Sequence, residues 1–223
     1  PVIGNAGLII PKDGFLQKLR SVTRQYGIVL IFDEVITGFR LGLGGAQEYF
    51  GVKADLVTYG KVIGGGLPFG FFGGNREIME MLAPEGRVYQ AGTYSGNPLC
   101  VSVALVVLNE LKRNRSRIYS KINRSCENLS EALNDVIKDR KVSAKVYSIA
   151  SMFQIFFTRN NVIDYVSALT SNITLFRRYF VGILSTGIFV PPSQFETCFI
   201  STAHTEDDIN KTVNVIDLTM SKL

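Results

Sequence analysis

Two residues of this 223-residue sequence stand where chemistry is possible. Asp33 closes the apolar run Ile28-Val29-Leu30-Ile31-Phe32, and Lys61 follows a second short run in Thr58-Tyr59-Gly60-Lys61. A carboxylate at the carboxyl end of a buried strand lies where open α/β sheets bind ligands. Burying it is costly unless it meets a cation or several donors. Lys61 leads into Val62-Ile63-Gly64-Gly65-Gly66-Leu67-Pro68, with no acidic residue beside it. Little water is expected there, and desolvation favours the free amine, which is the nucleophilic form. The glycines allow a bulky group to approach the backbone closely.

An aspartate and a lysine at the ends of successive strands could face one cavity from opposite sides. Pyridoxal phosphate requires such a pair: a lysine to form the Schiff base, and an aspartate to keep the pyridine nitrogen protonated. It also needs backbone N–H groups and hydroxyls at a helix start for its phosphate. Gly92-Thr93-Tyr94-Ser95-Gly96-Asn97-Pro98 supplies those ingredients just ahead of a helical segment. Each feature also has a plain structural reading. Lys61 could be a surface lysine in a glycine-rich loop, and Asp33 a cap or turn residue. The Gly92–Gly96 stretch could be an ordinary loop with a helix cap. A phosphate-binding P-loop is excluded, because Val62 follows Lys61 where Ser or Thr is needed, and Asp55 stands five residues before Gly60. Gly64-Gly65-Gly66 lacks the spacing of the dinucleotide fingerprint.

The elements that must hold these residues are α/β in character. Runs 28–32, 56–59 and 69–72 have strand length and are continuous rather than alternating, which predicts strands buried on both faces. A helix is expected over 15–26, and a longer one over 95–112 with Pro98 in its first turn. The chain divides near residue 112. Beyond it, apolar residues at Ile118, Ile122, Cys126, Leu129, Leu133 and Val136/Ile137 mark an amphipathic helix over 117–138. A strand at 153–157 follows, then a helix over 163–184 ending near Gly187, a strand at 198–202, and a last helix opening with Thr205-Glu206-Asp207-Asp208.

Composition narrows the classes. The chain is 46% hydrophobic and 19% charged, which suits a packed core and argues against disorder. No apolar run approaches the roughly 18 residues of a membrane span, and no secretory signal is visible. Cys100, Cys126 and Cys198 are too scattered for a disulfide framework or a metal cluster, and read as reduced thiols in a cytoplasmic protein. With one histidine, His204, a site of several imidazoles is excluded; its place before a capped helix gives it a structural role. The net charge of +5 is concentrated between Lys112 and Lys145, where ten lysines and arginines face four carboxylates. Only Tyr119 is available there for base stacking, so the stretch reads as a solvated helix face rather than a nucleic-acid platform.

Three long motifs in fixed order carry a resemblance: Leu30-Ile31-Phe32-Asp33-Glu34-Val35-Ile36-Thr37-Gly38-Phe39-Arg40, Gly60-Lys61-Val62-Ile63-Gly64-Gly65-Gly66-Leu67-Pro68, and Gly92-Thr93-Tyr94-Ser95-Gly96-Asn97-Pro98. Together they resemble the class III pyridoxal-phosphate aminotransferases. Within that class, Gly45-Ala46-Gln47-Glu48-Tyr49-Phe50, Val88-Tyr89-Gln90-Ala91-Gly92-Thr93, Pro192-Ser193-Gln194-Phe195-Glu196 and Ser201-Thr202-Ala203-His204 look most like the glutamate-1-semialdehyde 2,1-aminomutase branch. The resemblance implies a fold-type I transferase, with 1–112 as the C-terminal part of the large cofactor-binding α/β domain and 113–223 as a small α+β domain. It implies that Lys61 bonds the pyridoxal phosphate and shuttles protons, that Asp33 pairs with the ring nitrogen, and that Val35 packs on the ring. Gly92 and Thr93 would hold the phosphate of the neighbouring subunit's cofactor, in a homodimer with shared sites. Asn5 would approach the phenolic oxygen and Glu196 the substrate. The implied reaction moves the amino group within glutamate 1-semialdehyde to give 5-aminolevulinate, using the pyridoxamine and pyridoxal forms in turn.

The resemblance covers only the C-terminal half of a family subunit. The chain begins with Pro1, and is expected to be a fragment with an unpaired sheet edge and exposed apolar faces, inactive alone. Another class III aminotransferase, or a non-catalytic remnant that associates with a longer homologue, are the alternative readings.

Overall fold

The computed structural model describes residues 1–223. The chain folds as two compact units. The first comprises Pro1 and Asp13–Arg115; the second comprises Val2–Lys12 and Ser116–Leu223. The stretch Val2–Lys12 therefore packs with the far end of the chain, not with the residues it leads into. No helix is long and apolar enough to cross a membrane.

The first unit contains α1 (Phe15–Gln25), β1 (Ile31–Glu34), α2 (Gly45–Phe50), β2 (Leu56–Tyr59), β3 (Phe71–Gly74), α3 (Arg76–Met79) and α4 (Pro98–Arg113). The sheet order is β1-β2-β3. β1 and β2 run parallel, with Asp33 opposite Thr58, while β3 returns antiparallel, with Phe71 opposite Tyr59. Leu16, Leu30, Phe32, Val52, Ala54 and Val57 form the core on one face of the sheet. An ion pair ties α1 to the sheet: Arg20 lies 2.7 Å from Asp55, which also accepts the Leu30 N–H at 2.7 Å.

Two strand expectations are corrected here. The first strand starts at Ile31, not Ile28. The Ile28 N–H is held by the Thr23 carbonyl at the end of α1, and Leu30 is pinned through Asp55, so extension begins only after them. Asp33 is thus the third residue of the strand and Glu34 the last. The third strand is Phe71–Gly74, not 69–72. Gly74 makes that shift possible, because a Cβ there would lie 2.0 Å from the Asp55 carbonyl oxygen. The strands are also not buried on both faces. Phe32 and Glu34 point into the core, whereas Ile31 is 56% exposed and Asp33 is exposed beside it. Apolar continuity reported strand propensity, and the alternation was hidden because Ile31 is as hydrophobic as its buried neighbours.

The second unit holds α5 (Arg115–Asp139), β4 (Lys145–Ile149), β5 (Met152–Phe156), α6 (Tyr165–Ala168), α7 (Ile173–Ser185), β6 (Cys198–Phe199) and α8 (Glu206–Met220). An antiparallel β4-β5-β6 sheet has β5 at its centre, with all five of its residues buried. Helix α5 buries Ile122, Cys126, Leu129, Leu133, Val136 and Ile137, the face read from the sequence. The single helix expected over 163–184 is two. Asn172 breaks it: its backbone N–H goes to the Phe157 carbonyl at 2.8 Å, and its side chain caps α7 at the Leu175 N–H. The strand expected over 198–202 is only two residues long. Helix α8 opens with the capping box formed by Thr205 and Asp208. The His204 ring Nδ1 accepts the Ser201 N–H at 3.0 Å, a turn-closing bond.

Candidate active site

On the first unit, the open sheet face carries Asp33 and Thr58 side by side. Parallel pairing sets them opposite each other, and the alternation of β1 turns Asp33 away from the core. Asp33 Oδ1 accepts two hydrogen bonds, from the Val35 N–H at 3.0 Å and from the Thr58 hydroxyl at 3.1 Å. Val35 in turn lies against Gly60, where a Cβ would meet Val35 Cγ1 at 3.4 Å. Lys61 comes next in the chain. Asp33, Val35 and Gly60, the residue before Lys61, are thus neighbours.

The backbone at Lys61 is unusual. Its φ is 49°, in the left-handed region that non-glycine residues rarely adopt. Such conformations cost about 1–3 kcal/mol and cluster at functional sites. Lys61 starts a single 3-10 turn, Lys61–Gly64, which Gly65 closes at a φ of 57°. Helix α4 packs directly on this turn: a Cβ on Gly65 would lie 2.8 Å from Val103 and 3.0 Å from Val107. The glycine run thus seats α4 against the lysine turn. The expectation of a desolvated lysine is corrected, because Lys61 is exposed.

Gly92 and Thr93 stand in the turn before α4. The Gly92 carbonyl accepts the Ser95 N–H at 2.9 Å, and Asn97 caps the helix through the Cys100 N–H at 3.2 Å. Both residues are exposed.

The second unit holds Asn5 and Glu196, and brings their segments together. The Thr197 hydroxyl reaches the carbonyl oxygens of Gly4 at 2.9 Å and Gly7 at 3.1 Å, and the Gly7 N–H donates to Phe195 at 2.6 Å. Asn5 and Glu196 are both exposed on the knitted loops.

Sequence reasoning missed three residues that build these patches. Glu34 is fully buried and accepts the Thr37 hydroxyl at 3.0 Å, the Ala46 N–H at 2.5 Å and the Gln47 N–H at 3.1 Å. It locks the segment after β1 onto the start of α2. Burial, and then the charge of Glu34, push the Tyr59 phenol above its ordinary value. The other two are Thr58 and Thr197. A period of two along 56–59 would have put Thr58 on the face of Asp33, but nothing marked Thr197.

The class-III aminotransferase profile matches residues 1–216. The chain belongs to the class-III aminotransferase family. Its similarity to family members extends along its whole length. It is 48% identical over 223 residues to a protein named glutamate-1-semialdehyde 2,1-aminomutase from Methanococcus maripaludis, covering all of this chain and 52% of that one. A protein of the same name from Alkaliphilus oremlandii is 51% identical over 223 residues, and 51% of it is covered. The chain thus spans about half the length of the curated relatives it matches. Among solved structures, an omega-transaminase from Sphaerobacter thermophilus superposes with a TM-score of 0.89 at 30% identity, covering 97% of this chain and 50% of that one. A glutamate-1-semialdehyde aminomutase from Pseudomonas aeruginosa, solved with PMP, gives a TM-score of 0.89 at 21% identity over all of this chain and 51% of that one, and shows the shared fold. The α/β aminotransferase fold expected from the motifs is the one observed.

Proposed function

We propose that this chain is the C-terminal half of a glutamate-1-semialdehyde 2,1-aminomutase, converting glutamate 1-semialdehyde to 5-aminolevulinate for tetrapyrrole synthesis. The observation that carries the reading is the match, along the whole chain at 48–51% identity, to proteins of that name. On this reading the first unit is part of the large cofactor-binding domain and the second is the small domain.

The donor set fits pyridoxal phosphate. Asp33 has one oxygen held by two donors, while its other oxygen makes no bond within the chain and is free to meet a ring cation. Val35, packed against Gly60 just past Asp33, would lie on an aromatic ring, and the exposed Gly92-Thr93 turn offers N–H and hydroxyl groups to a phosphate. When bound, the cofactor supplies an electron sink and, in its pyridoxamine form, the amine that is exchanged. Lys61 Nζ would hold the cofactor and then take and return the protons of each half-reaction, as an amine can when it is neutral. Gly92 and Thr93 would bind the phosphate in a partner subunit's site, Asn5 would face the phenolic oxygen, and Glu196 would approach the substrate. A homodimer with shared sites follows from that arrangement. Burial pushes the Cys126 thiol up to about 11 and the Cys198 thiol up to about 12, and neither forms a disulfide; a reducing cytoplasm is the compartment proposed.

The test, run on the full-length protein of which this chain is proposed to be the C-terminal half, is turnover of glutamate 1-semialdehyde with no added amino acceptor, alongside a visible absorbance band that depends on Lys61. The aminomutase gives both, and Lys61→Ala loses both. Activity only when a separate amino donor and acceptor are supplied would instead assign the chain to the ordinary class-III transaminases, a reading favoured by its 30% identity to the omega-transaminase. A band-free protein that purifies with a longer homologue would make it a non-catalytic partner.

A further inference from the structure

Asp33 carries a terminal torsion with broad, soft preferences, so a lone aspartate at a strand end does not hold its carboxylate in one plane. Here the plane is held. Both donors that reach it, the Val35 N–H and the Thr58 hydroxyl, converge on Oδ1 at 3.0 and 3.1 Å. The first comes from Asp33's own strand end and the second from the neighbouring strand, at the register position directly opposite. Two anchors from different directions fix the rotation of the group and leave Oδ2 pointing at neither.

We propose that Thr58 is a positioning residue for the cofactor: its hydroxyl orients Asp33 so that the free oxygen is presented to the protonated ring nitrogen. This rests on the pyridoxal-phosphate reading above. The bond does little for the fold itself. Asp33 is exposed and Thr58 only half-buried, so neither group would be stranded without it. Valine has nearly the shape of threonine and at least its strand propensity. A purely structural Thr58 would therefore tolerate Val, whereas a positioning Thr58 would not.

The experiment compares the intact protein with its Thr58→Val and Thr58→Ser variants. The readouts are pyridoxal-phosphate affinity, from titration of the lysine-dependent visible band, and the wavelength of that band. Losing one hydrogen bond to a charged acceptor should weaken binding by on the order of tenfold. Thr58→Val is expected to show that loss and a displaced band, at an unfolding temperature equal to wild type without cofactor. Thr58→Ser restores both, because it keeps the hydroxyl. If Thr58→Val does not fold, Thr58→Ala is read in the same way. Wild-type affinity and wavelength in the Val or Ala variant would overturn the proposal, as would a Ser variant as impaired as Val. A wild-type protein with no lysine-dependent band would overturn the cofactor reading itself, and the proposal with it.

Discussion

The Thr197 hydroxyl lies 2.9 Å from the Gly4 carbonyl oxygen, joining positions 193 residues apart. Thr197 is 2% exposed, and the same hydroxyl also reaches Gly7. This one group sets the loop that presents Asn5 against the loop that presents Glu196. Replacing Thr197 with Val keeps the shape, takes the hydroxyl donor from the Gly7 carbonyl, and leaves the Gly4 carbonyl with only the residue-197 N–H at 3.4 Å. A loss of about 1–3 kcal/mol is expected. Urea unfolding monitored by circular dichroism checks it, and Thr197→Ser should recover most of the loss. Equal stability of all three proteins would show that the bond is incidental.

The second prediction concerns the lysine turn. Gly65→Ala forces a side chain into a left-handed residue and against Val103 and Val107. Overpacking of this kind costs about 1–3 kcal/mol. Val103→Ala in the same background should return part of that by making room. A double-mutant cycle on thermal stability separates the two sources. If the pair is no better than the single variants predict, the Val103 contact adds nothing, and backbone strain with the Val107 contact accounts for the loss.

Glu34 should matter more for folding than its neighbour Asp33. Glu34→Gln replaces one acceptor oxygen with a donor facing the N–H groups of Ala46 and Gln47 or the Thr37 hydroxyl. A cost of about 1.5–3 kcal/mol is expected for bonds to a charged group. Asp33→Asn, on the open face, should leave the denaturation midpoint close to wild type and abolish the visible band. The contrast is read by running both variants through the same denaturation series.

Acid should weaken the α1 anchor. The Leu30 N–H, and then Arg20, hold the Asp55 carboxyl below its ordinary value of 3.8. A carboxyl lowered in the folded state binds fewer protons there than in the unfolded chain, so its contribution is complete above the ordinary value. It is lost as pH falls through the lower folded value. Denaturation midpoints taken at neutral pH and in steps below about pH 4 should fall in wild type. Asp55→Asn should start lower and lack that component of the fall. Parallel curves for the two proteins would remove Asp55 from the acid response.

Much of the first unit was legible because its chemistry is local. Lys61 and its glycines, Asp33 near a strand end, and Pro98 in the first turn of α4 each announce themselves within a few residues, although the helix expected from 95 begins only at Pro98. Helix α5 was legible for the same reason, since its buried face repeats at three and four. What stayed hidden depends on distant partners. Ile28 looks like a strand residue until Thr23 is seen holding its N–H in the turn that ends α1. The break at Asn172 depends on a Phe157 carbonyl 15 positions back. Glu34 stood beside Asp33 unremarked, because composition cannot tell which of two adjacent carboxylates faces the core. The exposure of Lys61 was missed by assuming that a glycine-rich strand end is dry.

The two-segment make-up of the second unit sets an order of events during synthesis. Residues 2–12 leave the ribosome well before their partners at 195–197, which arrive nearly two hundred residues later. At typical elongation rates of about 5–20 residues per second, that is a wait of roughly ten seconds or more. The first unit, contiguous from Asp13 to Arg115, can form in that interval. Val2, Leu8 and Ile9, buried in the finished fold, meanwhile lack the contacts that the second unit will supply. Residues 2–12 thus complete their packing only when the far end of the second unit has been made.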